Sequence, residues 1–303
     1  MYILVKLIAR FTLWLFCKRL GFYNREVEQI KTPVILGCNH PNSFLDAMII
    51  GALMKQRVHF ITRSDVFKKA WIRALLRSVN MIPIYRIRDG KHNMSKNDAT
   101  FEETRKILMK GENVLIFVEG FCSASHVLQL PLKKGAPRML MQAWDDGLDV
   151  KLVPVWIRYS SLSAFPKEVD VHYGKPFGKE VVNTNDEAGV KMLAINKETE
   201  TQLKFLSEVQ NSTSKPINKI LLFIPAMLGF ITHVLYYIPL QKLAYKLKGT
   251  IHYDSILFCL LGFLYPFYLL LIGILLNYFA GLWWALAAII LLPLFAKAYT
   301  LWK

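Results

Sequence analysis

Cys38-Asn39-His40-Pro41-Asn42-Ser43-Phe44-Leu45-Asp46 joins an apolar run, Pro33-Val34-Ile35-Leu36-Gly37, to a second one, Ala47-Met48-Ile49-Ile50-Gly51-Ala52-Leu53-Met54. The first run is short and bounded, as a buried strand is, and the second is long enough for a helix. Pro41 disfavours helical backbone at His40, so His40 should stay extended at the strand's end. Ser43 can then cap the helix and put Asp46 in its first turn. On one continuous helix the two side chains would lie about 240° apart around the axis. A bend through Pro41-Asn42 removes that separation and lets the carboxylate fold back onto the imidazole. Such a pair is the wiring of a general base, in which His takes a proton while Asp holds its tautomer. A plainer reading stands beside it. Ser43-x-x-Asp46 also has the form of a capping box, in which Asp46 only closes a helix end.

Outward from this stretch, strands and helices alternate. Val58 to Thr62 and Met81 to Arg86 read as strands, with a helix from Asp65 to Val79 between them. That helix carries Val66, Phe67, Ala70, Trp71, Ala74 and Leu75 on one side and Lys68, Lys69, Arg73 and Arg77 on the other. A polar loop from Asp89 to Asn97 leads to a helix that Gly111 stops. Val114-Leu115-Ile116-Phe117-Val118 is a buried strand that delivers Glu119-Gly120 at its tip. Lys151–Ile157 and Val169–Tyr173 are further strands, and an amphipathic helix follows over Ala188–Gln210. The alternation predicts an α/β domain with its chemistry at strand ends.

The 303 residues are 53% hydrophobic with a net charge of +16, and the mean hydropathy is +0.29. An apolar excess together with a basic excess points to an anionic membrane surface, an anionic substrate, or both. Between Lys55 and Lys91 ten Lys/Arg stand against Asp65 and Asp89, a balance of +8. A solvated helix face would explain them, and docking on anionic headgroups would too. Nucleic acid is not expected: the chain has no zinc finger, RNA-binding signature or long basic tail. The four cysteines lie far apart and the seven histidines are scattered, so no metal site is expected and a reduced compartment suits the thiols.

Residues 2–20 should form an amphipathic helix lying in a membrane interface, with Lys6 and Arg10 on one face. These two charges also interrupt what would otherwise resemble a secretory signal. After Ser214-Lys215-Pro216 the composition turns apolar. Ile256–Leu276 and Leu282–Ala296 are expected to form a membrane hairpin. Ile220–Leu240 is interrupted by Pro225, Gly229, His233 and Pro239 and is expected to be re-entrant or interfacial. The loop at Lys242, Lys246 and Lys248 and the catalytic domain should share the cytoplasmic side. The expected division is 1–20 interfacial helix, 21–214 catalytic domain and 215–303 membrane region.

Taken together, the motifs resemble the glycerolipid acyltransferase family over roughly residues 30 to 180. The family's Asn-His…Asp block is matched by Asn39, His40 and Asp46. Its apolar strand ending in Arg is similar to Ile82-Pro83-Ile84-Tyr85-Arg86, and its Phe-Pro-Glu-Gly-Thr-Arg-Ser block to Phe117-Val118-Glu119-Gly120. Its last block, an apolar stretch around Pro, resembles Val153-Pro154-Val155. The chain departs from the pattern twice. Five residues rather than four separate His40 from Asp46, as in a branch that includes fungal glycerol-3-phosphate/dihydroxyacetone-phosphate acyltransferases. Phe121-Cys122-Ser123 stands where Thr-Arg-Ser is usual, so the phosphate-gripping Arg is missing.

The resemblance implies a mixed central sheet flanked by helices. It also implies acyl transfer from acyl-CoA or an acyl carrier protein, with no other cofactor, to the hydroxyl of lysophosphatidic acid or glycerol 3-phosphate. His40 would be the base and Asp46 its orienter. Asn39, Glu119 and Gly120 would hold the acceptor, and Arg86, Lys133, Lys134 and Arg138 could replace the missing Arg at the phosphate. An acyl-cysteine route through Cys38 or Cys122 is a minor alternative. A lyso-aminolipid acceptor and a non-catalytic, membrane-anchored lipid-binding protein remain as rivals. A transporter is disfavoured by the lack of intramembrane charge.

Overall fold

The computed structural model describes residues 1–86, 95–209 and 219–303. Most of the loop expected at 89–97, and the composition change at 214–216 with its domain boundary, lie outside the described residues. Seven strands form one sheet: β1 (Cys17–Tyr23), β2 (Val34–Cys38), β3 (Val58–Arg63), β4 (Met81–Ile84), β5 (Asn113–Phe117), β6 (Lys151–Tyr159) and β7 (Lys167–Tyr173). Their order is β1-β7-β6-β2-β5-β3-β4. The five from β6 to β4 run parallel, β7 is antiparallel to β6, and β1 runs parallel to β7 at the edge. The sheet is therefore mixed. β2 lies between β6 and β5 with all five residues buried, which is why its sequence is an unbroken apolar run.

Helices cover both faces. On one side lie α1 (Tyr2–Phe16), α2 (Ser43–Leu53) and α8 (Tyr253–Phe263), whose Leu13, Phe16, Ile49, Leu257 and Phe258 share a core with Leu36, Val153 and Val171. On the other lie α4 (Asn97–Met109), α5 (Gly135–Asp145) and α6 (Ala188–Glu208), through Leu108, Leu140 and Leu203. Fourteen-odd ångströms of sheet separate β2 from β4 at about 4.8 Å per strand.

Three expectations need correction. The N-terminal helix stops at Phe16, and residues 17–23 are strand β1 rather than helix and polar lead. Arg19 made the segment look unlike a strand, yet Asp170 on β7 grips its guanidinium at 2.6 and 2.7 Å. Nor do Lys6 and Arg10 form a free basic face. They donate to Met54 O (2.6 Å) and Ala52 O (2.5 Å), satisfying carbonyls at the C-terminal end of α2. The helix expected over Asp65–Val79 is a 3-10 turn, Ser64–Phe67, and then α3 (Ala70–Ser78). Phe67 enters the core, whereas α3 buries no residue and leaves Trp71 66% exposed.

The C-terminal region is α7 (Lys219–Tyr245), α8, α9 (Tyr265–Ala280) and α10 (Leu282–Trp302). Among the described residues three stretches are long and apolar enough to cross a membrane: Lys219–Tyr245, Tyr253–Ala280 and Leu282–Trp302. The interruptions expected within 220–240 do not break α7, which continues through Pro225 and Pro239. Gly229 has a packing reason, since a Cβ there would meet the Phe295 carbonyl of α10.

Candidate active site

The parallel strands end together, and the chemistry gathers at their C-terminal edge, as open α/β sheets favour. His40 follows the end of β2 by two residues, and the chain bends through Pro41 and Asn42 into α2. His40 Nδ1 lies 2.8 Å from Asp46 Oδ2. The same oxygen accepts the Asn42 N–H at 2.8 Å, and Asp46 Oδ1 accepts the Tyr159 hydroxyl at 2.6 Å. Asp46 thus closes the helix end and holds the imidazole at once, so the two readings of its place in the sequence are not exclusive. A carboxylate only accepts, so Nδ1 carries the ring hydrogen and Nε2 keeps a lone pair. Phe117 stacks on the ring at 3.7 Å and 9°, fixing its plane.

The cap differs from expectation. Asn42, not Ser43, occupies the N-cap position, and its own side chain makes no cap hydrogen bond. Ser43 is the first residue of α2, at φ +48, in the left-handed region that costs an L-residue on the order of 1–2 kcal/mol. Neighbours hold it there: its N–H reaches Cys122 Sγ at 3.1 Å and its hydroxyl lies 3.2 Å from His252 Nδ1.

Glu119 sits at the tip of β5, 2% exposed, with Oε1 accepting the His40 N–H at 3.0 Å. Burial pushes its carboxyl above the ordinary range, opposed by that N–H and the Gln129 backbone. Ser123 N–H closes the two loops by donating to His40 O at 3.0 Å. Gly120 is required on two counts. Its φ is +74, and a Cβ would lie 2.7 Å from Lys133 Cγ. Lys133 therefore crosses the Glu119-Gly120 tip, and exposed Lys134 follows at the head of α5.

The other candidates stand apart. Arg138 turns to α4, 3.1 Å from Asp98 and 4.4 Å above the Phe101 ring. Arg86, past β4, lies 3.4 Å from Asp65, which also pairs with Arg63. Asn39 needs correction: it is 1% exposed, and its amide bridges to Ile157 N (2.7 Å) and Ile157 O (3.0 Å), extending the β2–β6 ladder. Both ends of its buried amide are thus engaged by the backbone of β6. Burial raises both thiols nearby, Cys38 and Cys122, away from the nucleophilic thiolate.

Several members of the site were not found by reading the sequence. Tyr159 is one, and burial with Asp46 beside it keeps its hydroxyl a donor. Asp254 and Ser255 are others, reaching the turn from the start of α8, and Lys167 on β7 pairs with Asp254. Asp254, an acid opening an apolar stretch, was the one legible signal.

A family model described as Acyltransferase matches residues 19–158, which take in β1 through most of β6 and both His40 and Asp46. No curated protein matches the chain by sequence. The 1-acyl-sn-glycerophosphate (LPA) acyltransferase PlsC from Thermotoga maritima is similar in structure at 18% identity and a TM-score of 0.49, over 69% of this chain and 81% of that one. Residues 19–158 are thus similar to the acyltransferase family model, and this is the stretch that holds the four motifs read from the sequence.

Proposed function

We propose that this protein is a membrane-associated O-acyltransferase of phospholipid synthesis, with its catalytic domain on the cytoplasmic face. It moves a fatty acyl group from acyl-CoA or an acyl carrier protein to the hydroxyl of lysophosphatidic acid or glycerol 3-phosphate. The observation that carries the reading is the 2.8 Å His40 Nδ1 to Asp46 Oδ2 contact at a strand end. With Nδ1 engaged, Nε2 takes the hydroxyl proton as the acceptor oxygen bonds to the thioester carbonyl. The C–S bond then breaks, and the imidazolium returns the proton to the departing thiolate. Asp46 steadies the imidazolium, and Tyr159 steadies Asp46.

Glu119 shapes the acceptor side through the His40 backbone, and Gly120 admits close approach. Lys133 and Lys134 are the cations this reading assigns to an acceptor phosphate; Arg138 and Arg86 have carboxylate partners of their own. A lyso-aminolipid acceptor is the second reading, favoured by Phe121-Cys122-Ser123 where a phosphate-gripping Arg would stand. Exposed apolar side chains over α7, α9 and α10 support a bilayer setting, in which acyl chain and product both reside.

Labelled acyl thioesters offered to the purified protein with glycerol 3-phosphate, lysophosphatidate and a lyso-aminolipid in parallel test the acceptor. His40→Ala should lower kcat by about 10²–10⁴ with fold and membrane attachment kept. Turnover unaffected by that change removes His40 as the base, whereas no transfer by the parent protein leaves the lipid-binding reading instead.

A further inference from the structure

The turn between His40 and Asp46 is held from the far end of the chain. Asn42 Nδ2 donates to Asp254 Oδ2 at 2.5 Å. Ser255 Oγ donates to Asn42 O at 3.1 Å and accepts the Leu45 N–H at 3.0 Å. The Leu45 N–H, in the first turn of α2, also approaches Asn42 O at 3.2 Å, and the side chain of the N-cap residue itself makes no cap bond. Ser255 supplies that cap from about 210 residues away. Left-handed Ser43 lies inside the same turn, so this conformation depends on contacts from outside it.

Asp254 is itself set by Lys167, whose ammonium bonds to it and to Ser161 O at 3.0 Å. Their side chains are 1% and 0% exposed. A buried ion pair gives little stability that well-packed apolar side chains would not also give. What an apolar pair could not provide is an acceptor aimed at Asn42. Resting on the acyl-transfer reading above, we infer that Asp254 and Ser255, with Lys167 behind them, are positioning residues for the His40–Asp46 pair. The C-terminal helices are then part of the catalytic apparatus and not only its anchor.

Two neutral double variants of the full-length protein separate positioning from packing. Lys167→Met/Asp254→Asn removes both charges and keeps an acceptor for Asn42, whereas Lys167→Met/Asp254→Leu removes the acceptor as well. Acyl transfer is measured alongside the parent and His40→Ala, with the unfolding midpoint of each. The Leu double variant should show kcat about tenfold or more below that of the Asn double variant, with KM for the thioester within about twofold. Equal kcat in the two double variants overturns the inference while leaving the enzyme reading in place. A parent that transfers no acyl group overturns both. Ser255→Ala, in the unaltered Lys167–Asp254 background, guards against misfolding of the doubles. It should lower kcat with an unfolding midpoint near the parent's, and a parental kcat speaks against the positioning proposal.

Discussion

Asp46 accepts three hydrogen bonds, from the His40 ring, the Asn42 backbone and Tyr159. Each fixes it in a different direction, so the carboxylate cannot rotate away from the imidazole. Tyr159→Phe keeps the packing and removes one of the three. Such a bond is worth about 1 kcal/mol, so kcat should fall about five- to tenfold in steady-state assays with little change in KM. His172 gives a test of pH dependence away from the site. It is 3% exposed, its ring stacks on Tyr23 at 4.4 Å, and burial holds its pKa below the ordinary 6.5. Protonation is therefore resisted in the folded state, and between the depressed value and 6.5 the unfolded chain binds more protons. Stability must then be lost as pH falls below about 6.5. His172→Phe, which preserves the stack, should flatten the decline of the unfolding midpoint between pH 7 and 5.

Among the elements, α1 and α3 show how a face is assigned. On α1, Ala9, Leu13 and Phe16 pack inward while Ile3, Leu4, Leu7, Phe11 and Trp14 stay exposed. The charged pair Lys6 and Arg10 ends on α2 carbonyls. Arg10→Ala should cost about 1 kcal/mol, or about 2–4 °C in Tm, by differential scanning in detergent. On α3, Trp71 and Leu75 are exposed among Lys68, Lys69, Arg73 and Arg77, while Leu76 packs on the core shared with α1 and α2. The helix thus lies on the sheet face from which α1 presents its apolar side. Reconstituted with anionic lipid, the parent should be more active than in zwitterionic lipid. Neutralising Lys68, Lys69 and Arg73 together should remove most of that difference, at about 1 kcal/mol of surface attraction per charge. Period alone did not place the packed side of α3: Leu76 and Val79 meet the core while Trp71 and Leu75 of the expected apolar side stay exposed, because a 3.6-residue pattern is the same toward a core and toward lipid.

At the scale of the molecule, α7 joins the two halves. Phe223 meets Trp302 and Phe230 meets Tyr299 at the end of α10. His233 meets Tyr265 at the start of α9, Tyr237 meets Phe165, and Ala244 is fully buried in the core shared with α2. Thr300 and Lys297 of α10 in turn bond to the Leu15 and Cys17 carbonyls. The C-terminal end of α7 is thus tied to the catalytic domain through Ala244, while its N-terminal half packs on α10, which bonds to the chain at Leu15 and Cys17. By length and composition α7 could cross a bilayer; the expectation put to test is that it lies along the base of the hairpin instead. In sealed vesicles, an impermeant thiol reagent should reach Lys248→Cys from the side that reaches Ser163→Cys, and Tyr278→Cys only from the other. Labelling of Lys248→Cys and Tyr278→Cys from one side would show that α7 crosses.

The local grammar of the chain settled the alternation of strands and helices, the buried centre at β2 and β5, and the bend that brings His40 to Asp46. All of these depend on residues within a few positions of one another, where periodicity and the stiffness of Pro41 act directly. Chain closure decided the rest: strand β1, the hydroxyl of Tyr159, the occupied amide of Asn39, the diversion of Arg138 to Asp98, and the Asp254-Ser255 corner. Their partners stand 113 residues away for Tyr159 and 213 for Ser255. A buried polar group must find a partner, but which one it finds depends on what the folded core brings alongside, and no short repeat in a sequence records that.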